Sequence, residues 1–411
     1  MVVMSNAITL SELQLMLEKD VLHALDLVKK NRQDLEQAER NLQNSKDEKK
    51  RVYWEEEIKR LQKWRLQHSM PPIIVYGDPG VGKTQCISWV VREMVSKYGI
   101  RVGLIVSQMS TYDMIAVRGM PIPDRESGTT KWLPQDSFPN EHNCADYDVV
   151  VWFMDELTAA PKSVQPPLYS LLQFGSIENG ITIPPNVMIV AAGNDKDDRA
   201  IVSDMSSALA NRLVHFDVQV SLDSWKDWAL REGIHPMIIA FHNSNEGQYL
   251  HKMQADTTGL IKGFPSPRTW HRVSDDLVRY ADNERLREAR VIGHVGSEAG
   301  VAFNTFFRVH DQLPNPEKIL NGQLDKVPEE DHMIYATLSN LVAHLLKKYD
   351  ATRIDNFFSY VEKATAHRKE IGYVAVQDFV RGAGRDATKI MLQTKNWSKW
   401  ADTIIKMDKW A

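Results

Sequence analysis

The stretch IIVYGDPGVGKTQ, residues 73–85, decides the fold of this chain. Its first four residues predict a buried strand, and residues 77–84 fit the pattern G-x-x-x-x-G-K-[ST] directly after that strand. In this pattern the glycines let backbone N–H groups turn onto phosphate oxygens, and the N-terminus of the following helix adds a favourable field. Because strand, loop and helix come in the required order, we expect a nucleotide site here.

The residues of this loop are the expected nucleotide ligands. Lys83 should reach the β- and γ-phosphates, and the Thr84 hydroxyl should ligate Mg²⁺. ATP and Mg²⁺ are therefore the expected cofactors. The complete predicted binding set is Gly77, Asp78, Pro79, Gly80, Val81, Gly82, Lys83, Thr84 and Gln85.

A second stretch, DVVVWFMDELTAAP at residues 148–161, supplies two adjacent carboxylates. Its apolar run predicts a strand buried on both faces of a parallel sheet, and open α/β sheets bind ligands beyond the carboxyl ends of such strands. We expect Asp155 to hold Mg²⁺ through water and Glu156 to polarise the attacking water as general base. The alternative is that the two acids only cap the next helix through Thr158.

A third apolar run, VMIVAAGN at residues 187–194, ends in Asn194. Its amide would hydrogen-bond the γ-phosphate or the attacking water, although an Asn that ends a strand is more often a turn residue. From Pro71 onward, strand-like runs alternate with helical stretches, which predicts a parallel sheet with helices on both faces. After Phe216 helical periodicity continues to the end of the chain.

The composition is that of an ordinary globular protein. The 411 residues suffice for two or three domains, and a content of 43% hydrophobic and 25% charged residues is typical of this class. A net charge of −4 gives no general attraction to nucleic acid or anionic membrane. Cys86 and Cys144 form no CxxC pair, and no apolar run reaches the ~20 residues of a membrane span. We expect reduced thiols, no membrane partner and a cytoplasmic location, since the N-terminus lacks a secretory signal.

The N-terminal part, residues 9–68, predicts helix throughout and opens with the capping box TLSE. The polar segment NSKDEKK at residues 44–50 predicts a turn, and apolar stripes on both sides of it predict a protruding antiparallel helical hairpin. One long helix is the alternative, because the turn contains neither Gly nor Pro. Aromatic residues are unusual on a purely solvated hairpin, so Tyr53, Trp54 and Trp64 predict a contact surface.

The motifs follow one another in an order that resembles AAA+ ATPases. After Asn194 come ALANRLVHFDV, residues 208–218, and GFPSPRTW, residues 263–270. The segment DELTAAPKSVQPPLYSLLQFGSI, residues 155–177, is similar to the MoxR branch of that family, which is dynein-related and found in bacteria and bacteriophages. VRGMPIPD…KWLP resembles the helix-2 insert of this branch, and GSIENGITIPP resembles its hairpin before sensor 1. The resemblance covers residues 71–272 and continues more weakly beyond them.

This resemblance implies a role for several polar residues. Asn194 matches sensor 1, and Arg268 matches sensor 2, which contacts the nucleotide from the helical lid of its own subunit. Arg212 matches the arginine finger, which would reach the γ-phosphate bound to a neighbouring subunit. An arginine there stabilises the charge on the transferring phosphoryl group. Arg199 is a rival for this interface role. The implied assembly is a ring of identical subunits, usually a hexamer.

The residue patterns and the resemblance together predict an α/β fold, with a P-loop AAA+ parallel sheet and flanking helices. An N-terminal helical hairpin precedes this core, and an all-α lid and C-terminal helices follow it. The expected regions are a helical hairpin or coiled coil at 1–69, the nucleotide-binding core at 70–220, the lid at 221–310 and a C-terminal helical region at 311–411.

The resemblance implies an ATPase, and three hypotheses for what its ATP hydrolysis drives stay open. The first is a protein client that the ring remodels or activates, with a von Willebrand A domain protein as the partner that MoxR-type ATPases commonly use. The second is nucleic acid, because Arg118, Arg125 and Lys131 lie in or near the insert, although neighbouring acids leave that segment without net positive charge. The third is a switch in which nucleotide only controls assembly. The protein client is the favoured hypothesis.

Overall fold

The computed structural model describes residues 6–133, 135–177, 181–194, 205–253, 263–308, 312–397 and 400–401. The chain divides into two compact units, which span residues 1–219 and 220–411. The first unit contains a parallel sheet, and the described part of the second unit is helical. No described helix is both long enough and apolar enough to cross a membrane.

Two sheets are present in the described part of the first unit. The strands are β1 (Ala7–Thr9), β2 (Ile73–Tyr76), β3 (Val102–Gln108), β4 (Met120–Asp124), β5 (Thr129–Leu133), β6 (Val149–Asp155), β7 (Val187–Gly193) and β8 (Val214–Gln219). Six of them form the main sheet in the order β1-β8-β2-β7-β6-β3. Every neighbouring pair in this sheet is parallel, which confirms the predicted sheet.

β6, which ends in Asp155, and β7, which precedes Asn194, are neighbours in the main sheet. Their apolar residues are buried on both faces of the sheet, as the unbroken apolar runs predicted. Full burial of one large apolar side chain contributes about 1.5–3 kcal/mol, so these strands contribute strongly to the stability of the first unit. Trp152 of β6 is fully buried, and its indole N–H donates to the Ser107 hydroxyl of β3 over 2.9 Å.

The α-helices of the first unit alternate with the strands, and the first two of them form the N-terminal hairpin. They are α1 (Leu10–Asn44), α2 (Glu48–Lys63), α3 (Lys83–Tyr98), α4 (Met114–Arg118), α5 (Glu141–Cys144), α6 (Gln165–Phe174) and α7 (Ser207–Ala210). Cys86 and Cys144 are free and buried, and burial raises the pKa of the Cys86 thiol to about 12. That thiol therefore stays protonated at neutral pH and is unreactive.

The N-terminal hairpin is confirmed, and the alternative of one long helix is wrong. The break falls between α1 and α2, where the Asp47 carboxylate accepts hydrogen bonds from the backbone N–H groups of Lys49 and Lys50. An N-cap of this kind starts a new helix without Gly or Pro. The expected capping box is confirmed, because Thr9 and Glu12 cap α1 at its first residue, Leu10. β1, which precedes α1, was not predicted; it pairs in parallel with β8 and places Ile8 opposite Val218.

The insert after β3 contains a separate antiparallel hairpin. β4 and β5 pair with Met120 opposite Leu133, between α4 and α5, in the segment expected to carry the helix-2 insert. In the segment expected to form the hairpin before sensor 1, Ser176 and Thr182 form an antiparallel bridge. The tip of that segment, residues 178–180, lies outside the described residues.

The second unit is helical throughout its described residues, as the sequence predicted. Its helices are α8 (Leu222–Arg231), α9 (Pro236–Ser244), α10 (Pro267–Arg279), α11 (Glu284–Phe307), α12 (Pro316–Leu320), α13 (Asp331–Lys347), α14 (Ala351–Ala364), α15 (Lys369–Gly382) and α16 (Arg385–Leu392). α11 bends at Gly296, whose φ of 79° is left-handed. A Cβ at Gly300 would lie 2.7 Å from the Cα of Ile292, so only glycine fits there.

Candidate functional site

The phosphate loop connects β2 to α3. Gly80 and Gly82 take left-handed φ values of 85° and 111°, which side-chain-bearing residues rarely adopt. Lys83, only 8% exposed, turns its ammonium group back over this loop. It donates to the carbonyl oxygen of Gly77 over 2.5 Å and to that of Asp78 over 3.3 Å. The lysine therefore lies within the concave loop, where it would meet a bound phosphate.

A hydroxyl and a carboxylate meet beside this lysine. The Thr84 hydroxyl, in the first turn of α3, donates to the Asp155 carboxylate at the end of β6 over 3.1 Å. Mg²⁺ prefers oxygen ligands and is usually held by one or two protein groups together with substrate phosphates. The described residues hold no cluster of three or more His, Cys, Asp or Glu that would bind a metal by itself. The pair thus fits a cation whose remaining ligands come from a nucleotide.

Glu156 occupies a strained position next to Asp155. Its φ of 54° is left-handed, which is uncommon for a residue with a side chain. Its carboxylate accepts a hydrogen bond of 2.6 Å from the Ser110 hydroxyl, in the turn that follows β3. Glu156 makes no side-chain capping bond to the following turn, so the expectation that the acids serve only as a cap is not supported. Strain at a polar strand end is typical of functional sites.

Ser110 was missed by the sequence analysis. The contact between Ser110 and Glu156 can be predicted once the sheet order is known, because β3 pairs with β6 and places Gln108 opposite Asp155. Residues that follow the two strands are therefore neighbours. Ser110 is the polar residue that reaches Glu156 from the adjacent strand end.

Asn194 completes the group at the end of β7. Its side-chain oxygen lies 3.4 Å from the Lys83 ammonium nitrogen, and its backbone N–H donates to the Thr158 hydroxyl over 3.2 Å. Close approach of Thr158 requires Gly193, since a Cβ there would lie 2.5 Å from a Thr158 methyl carbon. The structure therefore brings Asn194 to the phosphate loop and fixes it to the turn after Glu156.

Arg212 lies away from this group within its own chain. It precedes β8, whose first residue, Val214, pairs with Ile73 at the start of β2. The phosphate loop follows the other end of β2, so a strand of four residues, about 13 Å, separates the two levels. The Arg212 guanidinium donates to the Gln173 side chain over 2.9 Å and lies 5.5 Å from the ring centre of Tyr169.

The other arginines have separate locations. Arg268 is exposed in the first turn of α10, in the second unit. The helix begins with a capping box in which the Ser266 hydroxyl accepts from the backbone N–H of Thr269 over 3.2 Å. Arg199, the rival for the interface role, lies outside the described residues.

The comparisons with known proteins cover the part of the chain that holds this site. Residues 72–213 match the AAA domain of the dynein-related subfamily, and this range includes every expected site residue except Arg268. A RuvB mutant from Thermotoga maritima has 14% identity and a TM-score of 0.33, with 69% of this chain and 80% of that chain covered. NtrX from Brucella abortus in complex with ADP has 14% identity and a TM-score of 0.31, with 77% and 66% covered. A candidate ATPase from Cytophaga hutchinsonii has 12% identity and a TM-score of 0.29, with 88% of each chain covered. A search of curated proteins finds no match.

Proposed function

We propose that this chain, whose residues 72–213 match the AAA domain of the dynein-related subfamily, binds ATP with Mg²⁺ and hydrolyses it. One observation carries the proposal. Lys83, the Thr84–Asp155 pair and Asn194 converge at the carboxyl ends of three adjacent parallel strands. An ammonium group, two oxygen ligands for Mg²⁺ and a side-chain amide at one edge of the sheet are the groups that bind a nucleotide phosphate.

Each residue then has a distinct task. The loop from Gly77 to Gln85 binds the phosphates through its backbone, and Lys83 neutralises their charge. Thr84 and Asp155 would hold Mg²⁺, which supplies further positive charge beside the phosphates. Glu156 accepts a proton from the attacking water, while Asn194 orients that water or the γ-phosphate. Ser110 holds the Glu156 carboxylate in one orientation.

The position of Arg212 supports a ring in which neighbouring subunits share the reaction. Because Arg212 lies at the opposite end of the strands from its own phosphate loop, it serves a nucleotide on an adjacent subunit more readily than its own. Head-to-tail contacts of this kind close into rings. We infer a homo-oligomeric ring, with a hexamer as the expected size. We also infer that Arg268 contacts the nucleotide of its own subunit.

The chemistry of the insert supports a protein client. Met120, 64% exposed, and Leu133, 54% exposed, stand opposite each other on the β4–β5 hairpin. Lys131, which a nucleic-acid motor would use for phosphates, is instead ion-paired with Asp124 at 2.7 Å. Exposed apolar side chains bind protein more readily than nucleic acid. We therefore infer a MoxR-type ATPase that remodels or activates a protein client, with a von Willebrand A domain protein as partner.

The test compares two substitutions at the site. Lys83→Ala should abolish ATP binding, because it removes the cation from the loop. Glu156→Gln should bind ATP normally yet lower turnover by about a hundredfold or more, because the amide cannot accept the proton. Fluorescent-nucleotide binding and phosphate release give the two readings. Normal turnover by Glu156→Gln would contradict the assignment of the general base.

The molecule on which the ATPase acts is identified with the same variant. Glu156→Gln, loaded with ATP, is recovered from cells that express it, and the bound material is analysed. A bound von Willebrand A domain protein or another specific polypeptide supports the client function. Nuclease-sensitive nucleic acid without protein would instead identify a nucleic-acid motor. Assembly on ATP with negligible wild-type turnover would identify the switch.

A further inference from the structure

The outer half of the N-terminal hairpin, residues 29–60, has one buried side chain, that of Ala38. Along α1, Ala38 is the only buried residue after Val28 in the described chain, and Leu61 is the only buried residue of α2. The two helices are joined by a hydrogen bond from the Asn31 side chain to the Leu61 carbonyl oxygen, at 3.3 Å. Almost every other side chain from residue 29 to residue 60 is therefore exposed or half-buried and available for a partner.

A shallow groove lies where the two helices meet at the tip of this hairpin. Asn41 and Asn44 line it from the end of α1, and Lys49, Lys50, Tyr53 and Trp54 line it from the start of α2. Tyr53 is 58% exposed and meets the Trp54 ring edge-on, with 4.9 Å between the ring centres. Two amides, two ammonium groups, the exposed Tyr53 ring and the half-buried Trp54 ring thus share one concave surface.

The residues that line the groove carry two positive charges, on Lys49 and Lys50, and no carboxylate. Within residues 46–51 four cations, on Lys46, Lys49, Lys50 and Arg51, outnumber the two acids Asp47 and Glu48, and none of the four forms an ion pair with a described residue. The Asp47 carboxylate in this segment is already occupied by the capping hydrogen bonds that start α2. Two arginines elsewhere on the hairpin are paired, Arg40 with Glu36 and Arg60 with Glu57. The two lysines that line the groove are therefore free to pair with a partner.

We propose that this groove binds a short acidic segment of a partner polypeptide. Carboxylates of the segment pair with Lys49 and Lys50, the two amides bond its backbone, and an apolar side chain packs on Tyr53 and Trp54. Aromatic and amide groups of this kind are typical of protein-recognition surfaces.

The extent of the positive charge favours a peptide over a nucleic-acid strand. From Lys46 to Trp54 the surface spans about two helical turns, roughly 11 Å, which accommodates about three extended residues. Glu55 and Glu56 follow Trp54 directly and end the positive region. A nucleic-acid strand carries charge along its whole length and would meet these acids, whereas an acidic peptide needs only a few carboxylates.

The groove is also remote from the nucleotide site. α1 has 35 residues and is about 52 Å long. Its N-terminal end adjoins the phosphate loop, since a Cβ added at Gly82 would lie 3.5 Å from a Leu10 methyl carbon. Binding at the tip therefore does not depend on hydrolysis. Lys83→Ala should bind the segment as well as the wild-type chain does, so this proposal and the proposed ATPase function can fail separately.

The experiment measures binding of a fluorescein-labelled random copolymer of Glu and Tyr to the full chain by fluorescence anisotropy. The variant Lys49→Ala/Lys50→Ala removes the two groove cations. The matched control, Lys59→Ala/Lys63→Ala, removes two exposed lysines from the same helix outside the groove. We expect the groove variant to weaken binding about tenfold and the control to change it by less than about twofold. Tyr53→Ser should also weaken binding, because it removes the apolar contact.

Three outcomes would overturn the proposal. Equal losses in the two double variants would show that the attraction is general. Absence of binding to the wild-type chain would remove the groove as an acidic-peptide site. Tighter binding of a labelled oligothymidylate of about fifteen nucleotides, with the same loss in the groove variant, would assign the groove to single-stranded nucleic acid. Far-ultraviolet circular dichroism of each variant verifies that the hairpin remains helical.

Discussion

At the scale of single residues, the hydrogen bond from Ser110 to Glu156 makes a sharp prediction. Ser110→Ala removes a bond of 2.6 Å that restricts the orientation of the carboxylate. Since Glu156 should then sample other rotamers, kcat for ATP should fall about threefold to tenfold, which corresponds to the loss of one hydrogen bond, while KM stays within about twofold. Steady-state phosphate release at varied ATP gives both constants.

The control for this prediction lies in the same turn. Thr111→Ala also removes one hydroxyl, but that hydroxyl donates to the Gln108 carbonyl oxygen and does not touch Glu156. It should leave kcat unchanged. Equal effects of the two substitutions would mean that the turn matters only for stability, and Ser110 would no longer be a positioning residue.

The residues that the sequence predicted and those that it missed differ in a physical way. Asp155 ends one apolar strand, Asn194 follows another, and Lys83 follows a third after the glycine-rich loop, so the local pattern places all three at one edge of the sheet, and the structure brings them together. Ser110 and Thr158 act through partners that are 46 and 36 residues away. No local pattern encodes such pairs, because they arise only when the strand order is known.

At the scale of elements, α9 contains a histidine that should make the second unit sensitive to acid. His242 is fully buried against Trp225 and Trp270, and neither ring nitrogen has a hydrogen-bond partner among the residues that the structure describes. Burial lowers the pKa of the imidazole from 6.5 to about 3. The unfolded chain therefore gains a proton below pH 6.5 that the folded chain does not, and stability is lost as the pH falls from 6.5 towards 3.

The size of this effect is measurable. Between pH 7 and pH 4.5 the free energy of unfolding of the second unit should fall by about 2–3 kcal/mol on account of His242. His242→Leu should remove that part of the pH dependence, and His367→Ala, at an exposed position, should not. Urea unfolding followed by tryptophan fluorescence at several pH values provides the comparison. An unchanged pH dependence in His242→Leu would contradict the burial argument.

Elements were predicted as far as they carry a repeating pattern. The apolar runs of β6 and β7 and the helical stripes of α1 are long enough to indicate their structure. β1 has three residues, too few for an alternating pattern, and it pairs with β8 more than two hundred positions later in the chain. Tertiary pairing rather than local propensity therefore determines that strand.

At the scale of the whole molecule, the separation between Arg212 and its own phosphate loop predicts a reaction shared between subunits. Arg212→Ala should bind ATP normally and lose about a hundredfold or more in turnover, because the neighbouring γ-phosphate then lacks its cation. Mixing this variant with Glu156→Gln should restore activity to at most about a quarter of the wild-type rate. In randomly mixed rings, one interface in about four joins an intact Glu156 to an intact Arg212. The control is Arg212→Ala mixed with a double variant that carries both substitutions, which offers no intact arginine and should show no recovery. If Arg212→Ala alone turns over ATP at the wild-type rate, the shared-site assignment is wrong for this residue, and Arg199 becomes the position to substitute.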